Sequence, residues 1–262
     1  MSGGYSAAMP IAYARFLTGH RRTVAANKQL GWVLAFVAGA INAGGFLAVR
    51  QYTSHVTGMV SAVADNLVLG QLALVVDGLV GVTAFLLGAI CCAVMVNFAR
   101  RQALASEYAL PLLLEAALIL VFGLMGSQLA LYEGLLVPFT VLLLCFIMGL
   151  QNAVMTKLSH GVIRTTHLTG TVTDLGIEIG KLLYWNRDPA PETRTEVRAD
   201  RERMTVLAVL LLCFLTGGIA GAYGFKLLGY VSTVPLAILL ATLALVPMVD
   251  DLRRIATQPS AD

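Results

Sequence analysis

The sequence predicts an all-α, polytopic membrane protein made of two repeats that are inverted relative to each other. Three observations lead to this prediction. Hydrophobic residues make up 58% of the 262 residues and charged residues 13%, about half the charged fraction of a typical soluble domain. The hydrophobic residues form several runs of about 20 residues, the length that an α-helix needs to cross a bilayer. A short polar phrase also occurs twice, far apart in the chain.

The basic segment 1–29 precedes the first apolar run, and we expect it on the cytoplasmic side. Because the apolar run begins only after this segment, we expect a retained first helix over residues 30–49 rather than a cleaved signal peptide. This run holds a tract of very small side chains from Gly39 to Gly45. Small residues let helices in lipid pack backbone to backbone, so the tract predicts a close helix contact.

Seven further membrane segments follow. Five are apolar enough to be ordinary membrane-spanning helices, and they cover residues 79–99, 109–131, 135–156, 205–225 and 230–249. The other two, residues 53–76 and 165–185, carry too many polar side chains to face lipid along their whole length. Residues 186–203 hold five arginines and five acids and are predicted to form a solvated cytoplasmic loop. The tail, residues 250–262, is predicted to lie on the same side.

The polar phrase that occurs twice is the first sign of a repeat. His55-Val-Thr-Gly58 matches His167-Leu-Thr-Gly170, and each copy follows an apolar run that contains an asparagine, Asn42 or Asn152. The two copies lie at equivalent places in the two polar segments.

Two further matches keep the same order. Phe85-Leu-x-Gly88 matches Phe214-Leu-x-Gly217, and Pro111-Leu matches Pro235-Leu. Several matches in one order predict an internal duplication. The repeats are predicted to cover residues 30–131 and 135–249.

Whether the two polar segments cross the membrane is left open by the sequence. If both cross, six of the 18 lysines and arginines lie on the outer side; if both dip in and return, only Arg50 and Lys226 do. The second arrangement fits the cytoplasmic bias of basic residues better. Each half then crosses three times, so the second half is inverted, as in many transporters and channels. The alternative is that both segments cross fully as broken helices.

The repeated phrases are the candidate site for a solute. A threonine oxygen can cap the free N–H groups at the start of a helix, and the positive end of the helix dipole favours anions and polar molecules. We therefore predict two half-helices that face each other at the midplane, with histidines that add charge or hydrogen bonds. The alternative is that the histidines tie loops together and the asparagines link helices. The candidate site residues are His55, Thr57, Gly58, Asn42, His167, Thr169, Gly170 and Asn152.

Acidic side chains in the membrane segments are candidates for ion or proton coupling. Ionised acids are costly in lipid, so we expect them to face protein or water. Asp174 and Glu178 share a helix face, and Lys181 lies three residues beyond Glu178, so an ion-paired helix near the cytoplasmic surface is the favoured alternative. The candidates for coupling are Asp65, Asn66, Asp174, Glu178 and Glu115.

Enzymatic function is not predicted. The sequence has no Gly-x-Ser-x-Gly elbow, His-Glu-x-x-His motif or dinucleotide fingerprint. No metal or other cofactor is predicted, because the four cysteines lie in apolar runs without zinc-ligand spacing. The expected partners are the lipid bilayer and a small polar or anionic solute, with homo-oligomers left open and nucleic acid excluded. An intramembrane enzyme and a structural or regulatory membrane protein are the alternatives to a channel or carrier.

The phrases also give the sequence a resemblance. His55-Val-Thr-Gly58, and Thr166-His-Leu-Thr-Gly170 after Gly149-Leu-Gln-Asn152-Ala153, resemble the YoaK family of bacterial membrane proteins, whose halves typically carry His-Met-Thr-Gly-Asn and Thr-Gly-Thr phrases. The resemblance implies a multi-pass protein of the bacterial inner membrane and supplies no substrate. The sequence departs from the family at Met59, where asparagine is usual. If that asparagine lines a site, its role is lost here or passes to Asn66.

Overall fold

The computed structural model describes residues 24–102, 104, 106–129, 132–158, 168–184 and 197–257. Within these ranges all regular structure is helical, which confirms the predicted all-α class. The elements are α1 (Val24–Val49), α2 (Val56–Val68), α3 (Leu72–Arg101), α4 (Ala109–Gln128), α5 (Glu133–Leu158), α6 (Leu168–Leu183), α7 (Arg201–Leu228), the 3-10 turn η1 (Gly229–Ser232) and α8 (Thr233–Thr257). The basic residues 1–23 lie outside the described residues.

Two classes of helix are distinguished by length. The described residues contain five apolar stretches long enough to cross a bilayer, in α1, α3, α4, α5 and Arg201–Asp251. The last stretch has 51 residues and holds both α7 and α8, on either side of η1. In contrast, α2 has 13 residues and α6 has 16. At 1.5 Å per residue these two helices are about 20 and 24 Å long, shorter than the roughly 30 Å hydrocarbon core. The predicted multi-pass membrane architecture is confirmed.

The polar segment predicted over residues 53–76 is not continuous. A turn divides it into α2 and the first residues of α3, so α3 begins at Leu72 instead of residue 79. Gly70, in the turn, has a φ of +72°, which glycine adopts without the strain that a Cβ would cause. The Gln71 N–H donates to the Asn66 carbonyl at 2.9 Å and closes the reversal. As a result, α2 and α3 form a helical hairpin.

The start of α7 also differs from the predicted boundary. Arg201 opens the helix inside the stretch 186–203 that the sequence predicts to be a loop. The side chain of Asp200 accepts a hydrogen bond from the Arg203 N–H at 2.9 Å. This N-cap satisfies a free N–H group of the first turn and explains where the helix begins.

The first and fifth helices run in opposite directions. The Gln151 side-chain amide of α5 donates to the Leu34 carbonyl of α1 at 3.1 Å. Near the start of α1, the Asn27 amide donates to the carbonyl of Leu158, the last residue of α5, at 3.5 Å. Residues early in α1 therefore pair with residues late in α5, so the two helices are antiparallel.

The fourth and eighth helices are antiparallel as well. Ser106, just before α4, donates from its N–H and its hydroxyl to the Asp251 carboxylate of α8, at 2.8 and 2.7 Å. At the other end of the pair, Gly123 of α4 lies against Thr233, the first residue of α8. Two of the four pairs of corresponding helices, α1 with α5 and α4 with α8, therefore run in opposite directions.

The α1–α7 pair crosses backbone to backbone at glycines. A Cβ added at Gly39 would collide with the Phe214 carbonyl oxygen, and one added at Gly217 would collide with the Phe36 carbonyl oxygen. Gly44, farther along α1, packs against the Phe225 ring of α7. The predicted close contact at the small-residue tract of α1 is present, and glycine is required there because no space exists for a side chain.

The α3–α5 pair crosses in the same way. A Cβ at Gly149 would meet the Phe85 carbonyl oxygen, and a Cβ at Gly88 would meet the Phe146 carbonyl oxygen. These residues are the counterparts of those in the α1–α7 crossing according to the sequence repeat. In both crossings, the first helix of one half packs against the third helix of the other half.

The two short helices lie at the periphery of this arrangement, α2 against α3 and α6 against α7. Met59, at the position where the resembled family usually has asparagine, is only 5% exposed and packs under α3, with its Cε 2.6 Å from where a Cβ on Gly81 would lie. This position therefore faces α3, and methionine at this position serves helix packing.

Candidate solute site

A cavity of about 550 Å³ lies beside the crossing of α1 and α7. Most of its described lining is apolar and comes from these two helices. Tyr52, in the segment that leads into α2, and Leu168, the first residue of α6, complete the lining. The chain segments that open both short helices therefore reach one cavity. The described lining residues are Gly39, Asn42, Ala43, Phe46, Leu47, Tyr52, Leu168, Leu211, Phe214, Leu215, Gly218, Ile219 and Ala222.

Asn42 is the predicted site residue that lies in this lining. It is half-buried, and its Oδ1 accepts a hydrogen bond from the Ser54 hydroxyl at 2.8 Å. Among the described residues, its amide nitrogen has no hydrogen-bond partner. Asn42 lies seven residues before the end of α1 at Val49, or about 10 Å along the helix axis. The bond from Ser54 therefore holds the segment before α2 folded back along α1.

Two aromatic rings form part of the cavity wall. Phe46 of α1 and Tyr52 of the folded-back segment stack with centroids 4.6 Å apart and an interplanar angle of 17°. Offset stacking of this kind stabilises the segment beyond the apolar area that it buries. The cavity thus has an aromatic pair and a polar amide in its lining.

The first polar phrase lies at the start of α2. His55 occupies the N-cap position but makes no side-chain capping hydrogen bond, and Thr57 is the second helical residue. The prediction that threonine caps this helix is wrong, because the helix begins one residue before it. His55 and Thr57 are exposed. The imidazole lies over Gly58, where an added Cβ would be 2.5 Å from Nδ1, so glycine leaves room for the ring.

The second phrase is only partly described. His167 lies outside the described residues. Thr169 and Gly170 are exposed in the first turn of α6, and a Cβ on Gly170 would contact none of the other described residues. Neither of them belongs to the cavity lining, whereas Leu168 beside them does.

Asn152, the counterpart of Asn42 on α5, is 6% exposed. Its side-chain oxygen has no hydrogen-bond partner among the described residues. The adjacent Gln151, which the sequence analysis did not select, is fully buried and links α5 to α1 through the Leu34 carbonyl. The alternative interpretation, in which a polar side chain inside an apolar run links two helices, therefore holds for Gln151.

Two of the acidic candidates join α6 to the start of α7. The Glu178 carboxylate accepts a hydrogen bond from the Asp200 N–H and pairs with Lys181, both at 2.9 Å. Asp174 pairs with Arg203 at 2.9 Å. The Asp200 N–H, followed by the ammonium of Lys181, holds the pKa of Glu178 below its ordinary value. These contacts match the alternative of an ion-paired helix. They join the end of α6 to the start of α7, the two segments that flank residues 185–196.

The remaining candidates for ion or proton coupling lie apart from the cavity lining. Asp65 is exposed near the end of α2, and the carbonyls of Asp65 and Asn66 accept the hydrogen bonds that close the turn before α3. Glu115 of α4 is fully buried between Leu112 and Ile119 on the same helix face. Neither of its carboxylate oxygens has a hydrogen-bond partner among the described residues.

Sequence reasoning missed three residues around the cavity, namely Phe46, Tyr52 and Ser54. Phe46 and Tyr52 look like ordinary apolar and interfacial residues in the sequence. A signal was available for Ser54, because a small polar residue directly before a histidine phrase recurs as Thr166 in the second half.

Comparisons with known proteins identify the family of this chain. Residues 30–246 match the family described as "Protein of unknown function (DUF1275)". The chain belongs to the DUF1275 family. It is also 27% identical over 189 residues to the UPF0700 transmembrane protein YoaK of Bacillus subtilis (strain 168). The matched region covers 69% of this chain and 77% of that relative. The resemblance to the YoaK family is therefore confirmed. No solved structure matches the chain.

Proposed function

We propose that this DUF1275 protein is a channel or secondary carrier of the bacterial inner membrane. It passes a small polar solute through a site between its two halves, and both of its termini are cytoplasmic. The observation that carries this proposal is the cavity beside the α1–α7 crossing, because the segment that opens α2 and the first residue of α6 both line it. Transporter sites typically lie at the interface of two repeats, where helices are discontinuous.

The helix directions support an inverted relation between the halves. α1 is antiparallel to its counterpart α5, and α4 is antiparallel to its counterpart α8. A repeat that enters the membrane in the opposite sense requires this reversal for every corresponding pair. The matched glycine crossings of α1 with α7 and α5 with α3 support the same relation.

The short helices support the arrangement in which the polar segments return to the side from which they came. α2 is about 20 Å long, too short to cross alone. The Ser54–Asn42 hydrogen bond supports entry of the preceding segment alongside α1, before α2 leads out to the turn at Gly70. Non-helical backbone at membrane depth is tolerated only next to protein or water. The segment before α2 meets this condition, because it lies against α1 and borders the cavity.

The proposal is tested by flux measurements in proteoliposomes. Neutral solutes such as urea and glycerol are followed by stopped-flow light scattering, and anions such as formate and nitrate by an internal pH or charge indicator. Ala43→Trp fills the cavity from α1, and Val94→Trp, at a 62% exposed position of α3, is the matched control. We expect flux of at least one solute to fall to the protein-free level with Ala43→Trp and to persist with Val94→Trp. Equal flux in both variants would refute a route through this cavity.

A further inference from the structure

We infer that the cavity beside the α1–α7 crossing selects a neutral solute with an apolar body and one hydrogen-bond acceptor, and that the Asn42 amide nitrogen donates to this acceptor. The inference rests on the proposed function and narrows its solute class, which the sequence leaves open between neutral polar molecules and anions.

The described lining of the cavity is uncharged, since none of its thirteen residues carries a charge. The cavity is open on one side, since Tyr52, Leu215 and Ile219 in its lining are about half exposed. An anion in it gives up part of its hydration without gaining a cationic partner among the described lining residues, and burial of an unpaired charge costs far more than burial of a neutral group. The described lining therefore disfavours formate-like or phosphate-like ions relative to neutral molecules of similar size.

The side chain of Asn42 has a hydrogen-bond donor that no described residue uses. Its oxygen accepts a hydrogen bond from the Ser54 hydroxyl at 2.8 Å. Its nitrogen has no partner among the described residues and is available as a donor in the cavity lining. A neutral solute whose carbonyl or hydroxyl oxygen accepts this hydrogen bond satisfies the amide, whereas a hydrocarbon or lipid tail does not.

The stacked pair Phe46 and Tyr52 belongs to the cavity lining. Their rings lie nearly parallel, 4.6 Å apart, and both line the cavity. Because each ring covers one face of the other, the pair adds apolar surface to the lining, which favours an apolar body through area burial. Together, the apolar lining and the single amide match a molecule with one polar end and one apolar end.

The matched probes are 4-fluorobenzamide and 4-fluorobenzoate, which share a ring and differ in charge. Binding to the full chain in nanodiscs is followed by ligand-observed fluorine NMR. We expect saturable binding of the amide that is at least tenfold tighter than that of the carboxylate, and no saturable binding of either probe to Ala43→Trp. Equal or tighter binding of the carboxylate would overturn the inference, as would amide binding that Ala43→Trp leaves unchanged, which would indicate partition into lipid.

Two variants isolate the amide donor. Asn42→Leu and Ser54→Ala both break the bond that holds the segment before α2, but only Asn42→Leu removes the donor. We expect Asn42→Leu to weaken binding of 4-fluorobenzamide at least fivefold. Ser54→Ala, which releases the segment but keeps the donor, should weaken it clearly less than Asn42→Leu does. Equal weakening by both variants would overturn the role of Asn42 as the hydrogen-bond donor to the solute. Binding with this preference but no flux of any solute would defeat the transport proposal alone, and flux without this preference would defeat the inference alone.

Discussion

Ser54 and Asn42 are joined by a hydrogen bond of 2.8 Å between the end of the loop after α1 and a residue seven positions before α1 ends. This bond makes the loop retrace part of its path along α1 before α2 begins. It thereby brings a polar phrase and an aromatic residue to the side of a helix that otherwise presents small and apolar groups. The same region of α1 carries the glycines of the α1–α7 crossing, so the loop and the crossing share one face of the molecule.

Alanine substitution at two glycines of the α1–α7 crossing should have opposite consequences. At Gly39 a Cβ would collide with the Phe214 carbonyl, a backbone atom that cannot move away alone. At Gly218 the nearest atom is the Gly39 carbonyl oxygen at 3.7 Å, an ordinary contact. We expect Gly39→Ala to lower the free energy of unfolding by about 1 to 3 kcal/mol or more. Gly218→Ala should be neutral or raise it by up to about 1 kcal/mol, from better helix propensity.

Thermal unfolding of the purified variants in one detergent measures this difference. Equal stability of Gly39→Ala and the unmodified protein would mean that the helices do not cross at this glycine.

The contact between α6 and the start of α7 should weaken in acid. The pKa of Glu178 is depressed in the folded protein, mainly by the Asp200 N–H. Its contribution to stability is therefore complete above the unfolded value of about 4.3 and is lost as the pH falls through the lower folded value. We expect protection of the Asp200 amide from hydrogen exchange, corrected for intrinsic rate, to be constant above about pH 5 and to fall below about pH 4.

Glu178→Gln should lower that protection at neutral pH and remove its acid dependence. Asp65→Asn, at an exposed position on α2, serves as the control and should leave the profile intact. A profile that survives in Glu178→Gln would show that another group ties the two helices together.

Glu115 should be replaceable by an apolar residue without loss of stability. It is fully buried, and its carboxylate has no hydrogen-bond partner among the described residues. Removal of a buried polar group without a partner relieves a penalty of about 1 to 3 kcal/mol. We expect Glu115→Leu to raise the unfolding temperature and Glu115→Lys to lower it. A lower unfolding temperature for Glu115→Leu would instead reveal a partner of the carboxyl group and favour the predicted role in proton coupling.

The two histidines of the repeated phrase should matter for flux more than for folding. His55 is exposed and makes no capping bond, so its removal leaves the start of α2 without a lost contact. We expect His55→Ala and His167→Ala each to reduce flux several-fold while membrane insertion and unfolding temperature stay unchanged. Gly58→Ala, which displaces the His55 ring, should reduce flux in the same direction. Normal flux in all three variants would remove the repeated phrase from the site.

The long helices could be predicted from the sequence because apolar length is a local property. The predicted start of α4 at residue 109 agrees with Ala109, and the predicted span 135–156 lies within Glu133–Leu158. The turn at Gly70 was not predicted, because only the backbone conformation distinguishes this glycine from those inside helices. The contact of α1 with α7 could not be predicted either, since the small-residue tract of α1 indicates a close partner but does not identify it.

The candidate site was predicted in part. Asn42 lies in the cavity lining, and the polar character of Asn42 inside an apolar run was visible in the sequence. The other described site residues are not in the lining, because the lining residues come mainly from the first and third helices of opposite halves. These are His55, Thr57, Gly58, Thr169, Gly170 and Asn152. Which face of a helix meets another helix depends on the packing of distant segments, and periodicity alone does not determine it.

The most direct test of the inverted, re-entrant arrangement is the sidedness of four engineered cysteines. Gln51→Cys and Gln71→Cys flank α2, and Lys157→Cys and Tyr184→Cys flank α6. Each is placed singly in a chain whose four native cysteines are replaced and is labelled in intact cells with a membrane-impermeant maleimide. We predict that positions 51 and 71 react on one side of the membrane, and that positions 157 and 184 share the opposite side. Labelling of 51 and 71 from opposite sides, or of 157 and 184 from opposite sides, would contradict the account.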